Sequence, residues 1–230
     1  MDGIRDIEAV AFDVLGTLVD QIGGRRTAIR EALPSLSDAT TDELLAVWRR
    51  HVDDAQRRIA NGDRAYADSD AVDAEAARRV AQRAGRTDPA IIARLATADR
   101  HVPPWPDSVA GLERIAAHRP VIALSNASRA ALLRLNAGAG LRWHYALSAE
   151  AVRAYKPSPD VYRLAIDAAG CPPDRILMVA AHAWDLRGAL ACGMRAAYVD
   201  RPSGAPPTEC DAFDGRFATL DDLVAALSPR

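Results

Sequence analysis

Four short polar segments of the chain carry the residue types that nucleophilic and acid–base chemistry require. These segments are Asp13, the pair Ser125-Asn126, Lys156 and Asp185. Three of them lie at or just beyond the ends of apolar runs typical of buried strands, and Lys156 stands directly before a proline. Because the carboxyl ends of parallel strands meet at one edge of a sheet, we expect these side chains to lie close together. The sequence therefore predicts a site in which a carboxylate acts as a nucleophile beside a lysine.

The elements that must position these side chains alternate between strand-like and helical patterns. Several helical patterns are bounded by Gly or Pro, as helix ends should be. The alternation predicts a doubly wound parallel sheet, a Rossmann-like α/β core with helices on both faces. The strand-like runs are Ala9–Val14, Val121–Ser125, Ile176–Ala181 and Ala196–Val199, and the helical patterns are Ser108–Ala117, Arg129–Ala137, Asp160–Ala169 and Asp185–Cys192, with a last short helix at Thr219–Leu227.

The segment after the first strand differs from the rest because it shows helical spacing without a convincing strand. Leu44 and Trp48 belong to one apolar helix face there, and a cluster of prolines marks the return to the core. We therefore expect an α/β core domain of residues 1–20 and 101–230, with a helical cap domain of residues 21–100 inserted after the first strand.

The composition indicates a globular protein that acts on a small molecule. The 230 residues are 49% hydrophobic, enough for one substantial core and a smaller insertion. A net charge of −2 argues against a nucleic-acid surface or a polybasic membrane anchor. Three widely spaced cysteines, the lack of an export signal and the lack of a bilayer-length apolar run predict a cytoplasmic protein without a membrane segment. A homodimer is compatible with a chain of this size.

The four motifs resemble those of the haloacid dehalogenase (HAD) superfamily, and they are closest to the type II (L-2-) haloacid dehalogenases. The superfamily order of Asp-x-x-Gly-Thr, Ser/Thr, Lys and an acidic residue is matched in full, and the helical insertion stands where that family places its cap. The segment Val47-Trp48-Arg49 resembles the one that supplies the family's halide-binding arginine. The segments that carry the closer match are Phe12–Asp20, Leu124–Asn126, Tyr155–Pro157, Tyr162 and Trp184-Asp185.

The resemblance implies hydrolysis of a short 2-haloalkanoic acid to a 2-hydroxy acid, an L-substrate giving a D-product, without a metal or another cofactor. Asp13 would attack C2 of the substrate, displace the halide and form an ester with the enzyme. Lys156 would keep Asp13 ionised, while Thr17 and Ser125 would steady the carboxylates of nucleophile and substrate. Asp185 would help to position or activate the water that hydrolyses the ester.

The halide and the remainder of the substrate would meet a second set of residues. Arg49 and Asn126 would receive the halide as negative charge develops on it. Leu15, Tyr162 and Trp184 are expected to contact the substrate. The expected partner is thus a small 2-haloacid rather than a nucleic acid or a membrane.

Two departures from the type II pattern concern the substrate pocket and the hydrolytic water. Leu15 replaces an aromatic ring and so alters the pocket floor. At the fourth motif, Ala180 and His182 replace a serine and an asparagine that help to order water near Asp185. His182 could take over that role, since an imidazole can both donate and accept hydrogen bonds.

Two other functions stay open at this stage. The metal-dependent phosphatases of the superfamily carry a second aspartate where this chain has Leu15, and an acidic residue where it has Ala181. Magnesium prefers several oxygen ligands, and phosphoryl transfer requires charge neutralisation. Asp13 and Asp185 alone provide few ligands for such a metal site. A phosphatase or phosphonate hydrolase, and a binding protein that kept the scaffold without catalysis, remain the alternatives.

Individual residues also have structural interpretations. Ser125-Asn126 and Asp185 could cap the helices that follow them, and His182 could be a hydrogen-bonded structural histidine. The aromatic residues of the motifs could equally pack in the core. Arg50 and Arg57 compete with the matched arginine for the halide, because most arginines of the insertion should be solvated.

Overall fold

The computed structural model of the protein describes Ile4 and residues 6–228, and within them the strands form one six-stranded parallel sheet. The strands are β1 (Ala9–Phe12), β2 (Val121–Ser125), β3 (Tyr145–Ser148), β4 (Ile176–Ala180), β5 (Arg195–Val199) and β6 (Gly215–Phe217). Their order across the sheet is β3-β2-β1-β4-β5-β6. The winding reverses between β1 and β4, and the carboxyl edge at such a point is where open α/β sheets bind ligands.

Helices connect the strands and supply the layers on either side of the sheet. The helices are α1 (Gln21–Ala32), α2 (Asp38–Ala60), α3 (Ser69–Arg83), α4 (Pro89–Ala96), α5 (Ser108–Ala116), α6 (Arg129–Ala139), α7 (Pro159–Ala169), α8 (Ala183–Ala191) and α9 (Leu220–Leu227). Short 3-10 turns occupy Ala98–Arg100, Ala149–Val152 and Pro173–Arg175. Among the described helices, none is long and apolar enough to cross a membrane.

The two faces of the sheet bury separate apolar clusters, because alternate residues of a strand point in opposite directions. Along β1, Val10 and Phe12 join the cluster under α5, α6 and α9, whereas Ala11 joins the cluster under α7 and α8. Every residue of β1, β2 and β4 is buried, as expected for central strands of a parallel sheet covered on both sides. The predicted doubly wound α/β fold is therefore confirmed.

Helices α1 to α4 bury an apolar cluster of their own. Trp48 and Leu44 of α2 pack there with Ile29 of α1 and Val80 of α3. The side chain of Ser37 accepts a hydrogen bond from the N–H of Thr40 and so begins α2. This separate cluster supports a cap, but the division into a cap of residues 21–100 and a core of residues 1–20 and 101–230 stays a prediction. Residues 1–3, 5, 229 and 230 of that core lie outside the described residues.

The predicted elements differ from the structure at two positions that matter for the site. β1 ends at Phe12, so Asp13 lies just beyond the strand rather than inside it. Helix α8 begins at Ala183 with His182 as its N-cap residue, so Asp185 lies in the first turn and does not cap the helix. Strands β3 and β6 were not predicted: β3 is only half covered and lies at the sheet edge, and β6 has three residues.

Candidate active site

The carboxylate of Asp13 lies at the carboxyl end of β1 and is 6% exposed. Thr17 donates a hydrogen bond from Oγ1 to Oδ2 of Asp13 over 2.6 Å, and Lys156 donates from Nζ to Oδ1 over 2.9 Å. Each carboxylate oxygen thus has one fixed donor, which sets the orientation of the group. Asp13 also lines a cavity that lies between the carboxyl edge of the sheet and helices α1 to α3.

The ammonium group of Lys156 bridges two buried carboxylates. Besides Asp13, it donates to Oδ2 of Asp185 over 2.7 Å, and the Lys156 side chain is 1% exposed. The backbone N–H of Lys156 donates to Oδ1 of Asn126 over 2.8 Å, which ties the end of β2 to this position. Lys156 is the only lysine in the sequence. The three charged side chains that motif spacing predicted to converge do converge in the fold.

Tyr162 contacts Asp185 rather than the cavity. Its hydroxyl donates to Oδ1 of Asp185 over 2.7 Å, and its side chain is fully buried between α7 and α8. Gly188 leaves the space for this ring, because a Cβ atom at that position would collide with the Tyr162 hydroxyl. Substrate contact had been expected of Tyr162; the geometry favours a role in orienting Asp185.

Burial and charge shift the pKa values of the central groups in different directions. Burial by itself raises the pKa of Asp13, but the charges of Lys156 and His182 and the Thr17 hydrogen bond outweigh it, so the pKa is lowered. Burial dominates at Asp185, and its pKa is raised despite the contact with Lys156. For Lys156, burial is outweighed by the two carboxylates and the pKa is raised. Asp13 is thus held as an anion ready to act as a nucleophile.

The turn that follows Asp13 requires a glycine. Gly16 has a φ of 85°, a conformation that side chains with a Cβ atom rarely adopt. A Cβ atom there would lie 2.8 Å from Nε2 of His182, so the imidazole approaches this backbone closely. The Gly-Thr pair after Asp13 therefore reflects both the tight turn and the position of His182.

Side chains from distant parts of the chain hold the same turn. Trp105 donates from Nε1 to the carbonyl of Gly16 over 3.1 Å, and Arg201 donates from Nε to the carbonyl of Thr17 over 2.9 Å. Arg201 is itself fixed by two hydrogen bonds to Asp107, of 2.8 and 3.0 Å. Sequence patterns did not indicate Arg201 or Asp107, because neither belongs to one of the four motifs.

Ser125 and Asn126 line the cavity beside Asp13. Ser125 is buried at the end of β2, and its Oγ accepts a hydrogen bond from the N–H of Ala127 over 3.1 Å. Ser128, and not this pair, caps α6 through a bond from the N–H of Ala131. The helix-cap interpretation of Ser125-Asn126 is therefore wrong, and both residues line the cavity while Oδ1 of Asn126 holds the N–H of Lys156.

Leu15, His182 and Trp184 form one side of the cavity. Nε2 of His182 lies 3.3 Å from the carbonyl oxygen of Leu15, and its ring stacks on Trp184 with centroids 5.8 Å apart. Trp184 is 38% exposed, which places it at the opening rather than in the core. All three line the same cavity as Asp13, and substrate contact by Leu15 and Trp184 and water ordering by His182 stay predictions.

On the cap side, Arg49 lines the cavity from α2. It forms no hydrogen bond or ion pair with the described part of the chain, so its guanidinium is available to an anion. Arg50 and Arg57, its rivals in the sequence, do not line the cavity. The geometry thus favours Arg49 as the halide-binding arginine.

Arg25 of α1 also lines the cavity, and the sequence motifs did not indicate it. It is 4% exposed, donates to Asp99 over 2.7 and 2.8 Å and to Asp73 over 3.1 Å, and stacks over the ring of Trp48 at 5.1 Å. Its spacing of four residues from Ile29, on the buried face of α1, is the one signal the sequence holds. Since its N–H groups already donate to two carboxylates, Arg25 is poorly suited to bind a halide.

The site offers little to a metal ion. Among the described residues, no group of three or more His, Cys, Asp or Glu side chains is arranged to bind one. The space between Asp13 and Asp185 is bridged by the ammonium of Lys156, and Leu15 and Ala181 add no oxygen ligands from their side chains. The donor set therefore does not fit magnesium.

A buried, ionised aspartate at the switch point of a doubly wound sheet, under a helical layer, defines a hydrolase of the aspartate-nucleophile type. Comparison with known proteins agrees: a family model for haloacid dehalogenase-like hydrolases matches residues 7–193, and the chain belongs to this family.

The chain is similar to several known proteins along most of its length. It is 32% identical to an (S)-2-haloacid dehalogenase of Xanthobacter autotrophicus, over 86% of this chain and 76% of that protein. A solved L-2-haloacid dehalogenase superposes with a TM-score of 0.87 at 30% identity, covering 96% of this chain and 98% of the other. The Xanthobacter autotrophicus L-2-haloacid dehalogenase with chloropropionic acid covalently bound superposes with a TM-score of 0.82 at 28% identity, covering 95% and 97%.

Proposed function

We propose that this protein hydrolyses the carbon–halogen bond of 2-haloalkanoic acids and releases 2-hydroxy acids through an ester at Asp13. The observation that carries the proposal is the Asp13 carboxylate, buried at the cavity, held by Thr17 and Lys156 and kept ionised by them. A desolvated carboxylate with a fixed orientation is well suited to attack an alkyl carbon.

In the first step, one oxygen of Asp13 forms a bond to C2 while the carbon–halogen bond breaks. The halide leaves with the bonding electron pair, and the configuration at C2 is inverted. Arg49 and Asn126 stabilise the developing halide, and Ser125 contributes to binding the substrate carboxylate. The similarity to (S)- and L-2-haloacid dehalogenases supports the same enantiomer as the substrate here.

In the second step, water attacks the carbonyl carbon of the ester, not C2. The ester bond breaks, Asp13 is regenerated, and the hydroxyl oxygen of the product is the oxygen that Asp13 supplied. Asp185, oriented by Lys156 and Tyr162, accepts a proton from water and returns it to the departing alkoxide, with His182 helping to order that water. The Asp13 carboxyl then loses its proton to solvent. A single turnover in ¹⁸O-labelled water should therefore label Asp13 and leave the product unlabelled.

The direct test is chloride release from racemic 2-chloropropionate in the presence of a metal chelator. The wild type should release chloride and leave one enantiomer intact, while Asp13→Asn should lose at least about 10³-fold in kcat. Asp174→Asn changes an exposed carboxylate outside the cavity and serves as the matched control. Full activity of Asp13→Asn, or phosphate release that requires magnesium in place of chloride release, would contradict the proposal.

We also infer a cytoplasmic location and a homodimer. Cys171, Cys192 and Cys210 are free thiols, which suits a reducing compartment.

Leu133 on α6 and Tyr145 on the edge strand β3 are exposed large apolar side chains on neighbouring elements, a surface that a second copy would cover. Sedimentation analysis of the wild type and a Leu133→Asp variant tests the dimer, which the variant should weaken.

A further inference from the structure

The cavity is larger than a short haloacid requires. Its volume is about 570 Å³, whereas cavities of about 300–1,000 Å³ hold drug-sized ligands. A three-carbon acid bound at Asp13 would leave most of this space to water. The residues that line the cavity away from Asp13 would therefore contact the rest of the substrate and determine which chemical groups it can carry.

One face of α2 forms the wall opposite the sheet. Arg49, Val52, Asp53 and Gln56 line the cavity at helical spacing, so they lie along a single stripe. Asp53 stands one turn beyond Arg49, about 6 Å along the helix axis. Its side chain is exposed to the cavity and forms no hydrogen bond or ion pair within residues 6–228 or with Ile4. A substrate with its halogen at Arg49 can reach Asp53 with a short tail.

A second carboxylate lines the same cavity from α3. Asp73 is 8% exposed, and its Oδ1 accepts hydrogen bonds from Arg25 and Trp48 over 3.1 and 3.0 Å. Its other oxygen, Oδ2, accepts no hydrogen bond from the described residues. Burial raises the pKa of Asp73 to about 7, with Arg25 opposing and Asp99 adding to the rise. The negative charge of Asp73 is thus only partly balanced, because Arg25 also pairs with Asp99.

The cavity lining carries more negative than positive charge. Asp13 is paired with Lys156, and the other three lining carboxylates, Asp53, Asp73 and Asp99, face two guanidinium groups. One of these, Arg25, is already engaged by Asp73 and Asp99. The substrate adds a further carboxylate, and the halide adds another negative charge as it leaves. A binding site with this excess of negative charge is complementary to a ligand that carries a positive charge.

We propose that the cavity selects 2-haloacids whose carbon chain ends in a cationic group, with the tail lying along α2 and its cation between Asp53 and Asp73. The inference rests on the proposed function, since the reacting end of the substrate is the same and only the tail is specified. A guanidinium tail fits best, because it offers several N–H donors to the free oxygens of both carboxylates.

A matched pair of substrates tests the charge without changing the shape. (S)-2-Chloro-5-guanidinopentanoate carries the cation, and (S)-2-chloro-5-ureidopentanoate has nearly the same shape without it. With chloride release measured at low ionic strength, kcat/KM should favour the guanidino acid by about ten-fold or more. Added salt should reduce this ratio, because the opening at Asp53 is in contact with solvent.

Two neighbouring aspartates of α2 provide the variant and its control. Asp53→Asn should lower the guanidino-to-ureido ratio to about two-fold or less. Asp54→Asn should leave the ratio unchanged, because Asp54 pairs with Arg57 and does not line the cavity. A wild-type ratio near one, or a ratio that Asp53→Asn does not lower, overturns this inference. If (S)-2-chloropropionate is hydrolysed in that case, the proposed function stands; if none of the three acids releases chloride, both fail.

Discussion

Arg201 donates a hydrogen bond from Nε to the main-chain carbonyl of Thr17 over 2.9 Å, although 184 positions separate the two residues. Thr17 in turn holds Oδ2 of Asp13 through its hydroxyl, and that hydroxyl accepts from the N–H of Ala181. The orientation of the nucleophile thus depends on a guanidinium that is 8% exposed and paired with Asp107. Arg201 is a positioning residue, since it reaches Asp13 only through the turn.

Replacement of Arg201 by Met should therefore lower kcat more than it raises KM. A displaced nucleophile costs about 10²-fold when its position shifts by about 1 Å, whereas the residues that line the cavity stay in place. Steady-state chloride release gives the two constants, and Arg134→Met, on an exposed part of α6, is the control. A variant that is folded and has an unchanged kcat would show that Arg201 only supports the fold.

Loss of the Lys156 charge should damage both stability and activity. In Lys156→Met, Asp13 and Asp185 lose their shared cation while remaining buried, and the free energy of unfolding should fall by about 3–5 kcal/mol. Urea unfolding measures this loss, and chloride release should disappear. Lys156→Arg keeps the charge but places a larger planar group in a closed space, so it should be more stable than Lys156→Met and still poorly active. Comparable unfolding of the wild type and Lys156→Met would contradict the bridging role.

The opposite pKa shifts of the two carboxylates predict a pH-dependent change of the rate-limiting step. The pKa of Asp13 is lowered and that of Asp185 is raised, so Asp185 takes up a proton first as the pH falls. Attack by ionised Asp13 then continues while water activation fails. Mass spectrometry of enzyme quenched during turnover should show more ester at about pH 5 than at about pH 8. An equal ester fraction at both pH values would argue against Asp185 as the base.

The halide-binding role of Arg49 predicts a loss that its neighbour does not share. Arg49→Gln should lower kcat/KM by about 10²-fold or more, since charge develops on the halide in the transition state. Inhibition by added chloride should weaken in the same variant. Arg50→Gln, which changes a guanidinium outside the cavity, should retain the wild-type values for both measurements. Equal effects of the two substitutions would show that Arg49 does not bind the halide.

Much of the fold and of the candidate site follows from local sequence. The buried strand before Asp13, the Gly-Thr turn after it and the proline after Lys156 each have a physical cause within a few residues of the chain. These local causes were sufficient to predict the α/β class, which is confirmed, and the convergence of Asp13, Lys156 and Asp185. They also indicated the family through the order of the motifs.

Other contacts could not be predicted from local sequence. The edge strand β3 lacks the apolar pattern of a central strand, and it forms because β2 offers it a partner. Arg25 of α1 is buried by its ion pairs with Asp73 and Asp99, which lie 48 and 74 positions away in the sequence. Tyr162 could be placed on an apolar helix face, but its contact with Asp185 required the packing of α7 against α8.

The sequence by itself thus determined the four inner strands of the sheet, the reactive aspartate and the lysine beside it, because strand burial and turn geometry are set by neighbouring residues. Only the tertiary structure decided how that aspartate is oriented, which arginine is free for the halide and what charge the cavity carries. Those properties depend on distances between side chains that are far apart in the chain, and on the burial that makes each charge effective.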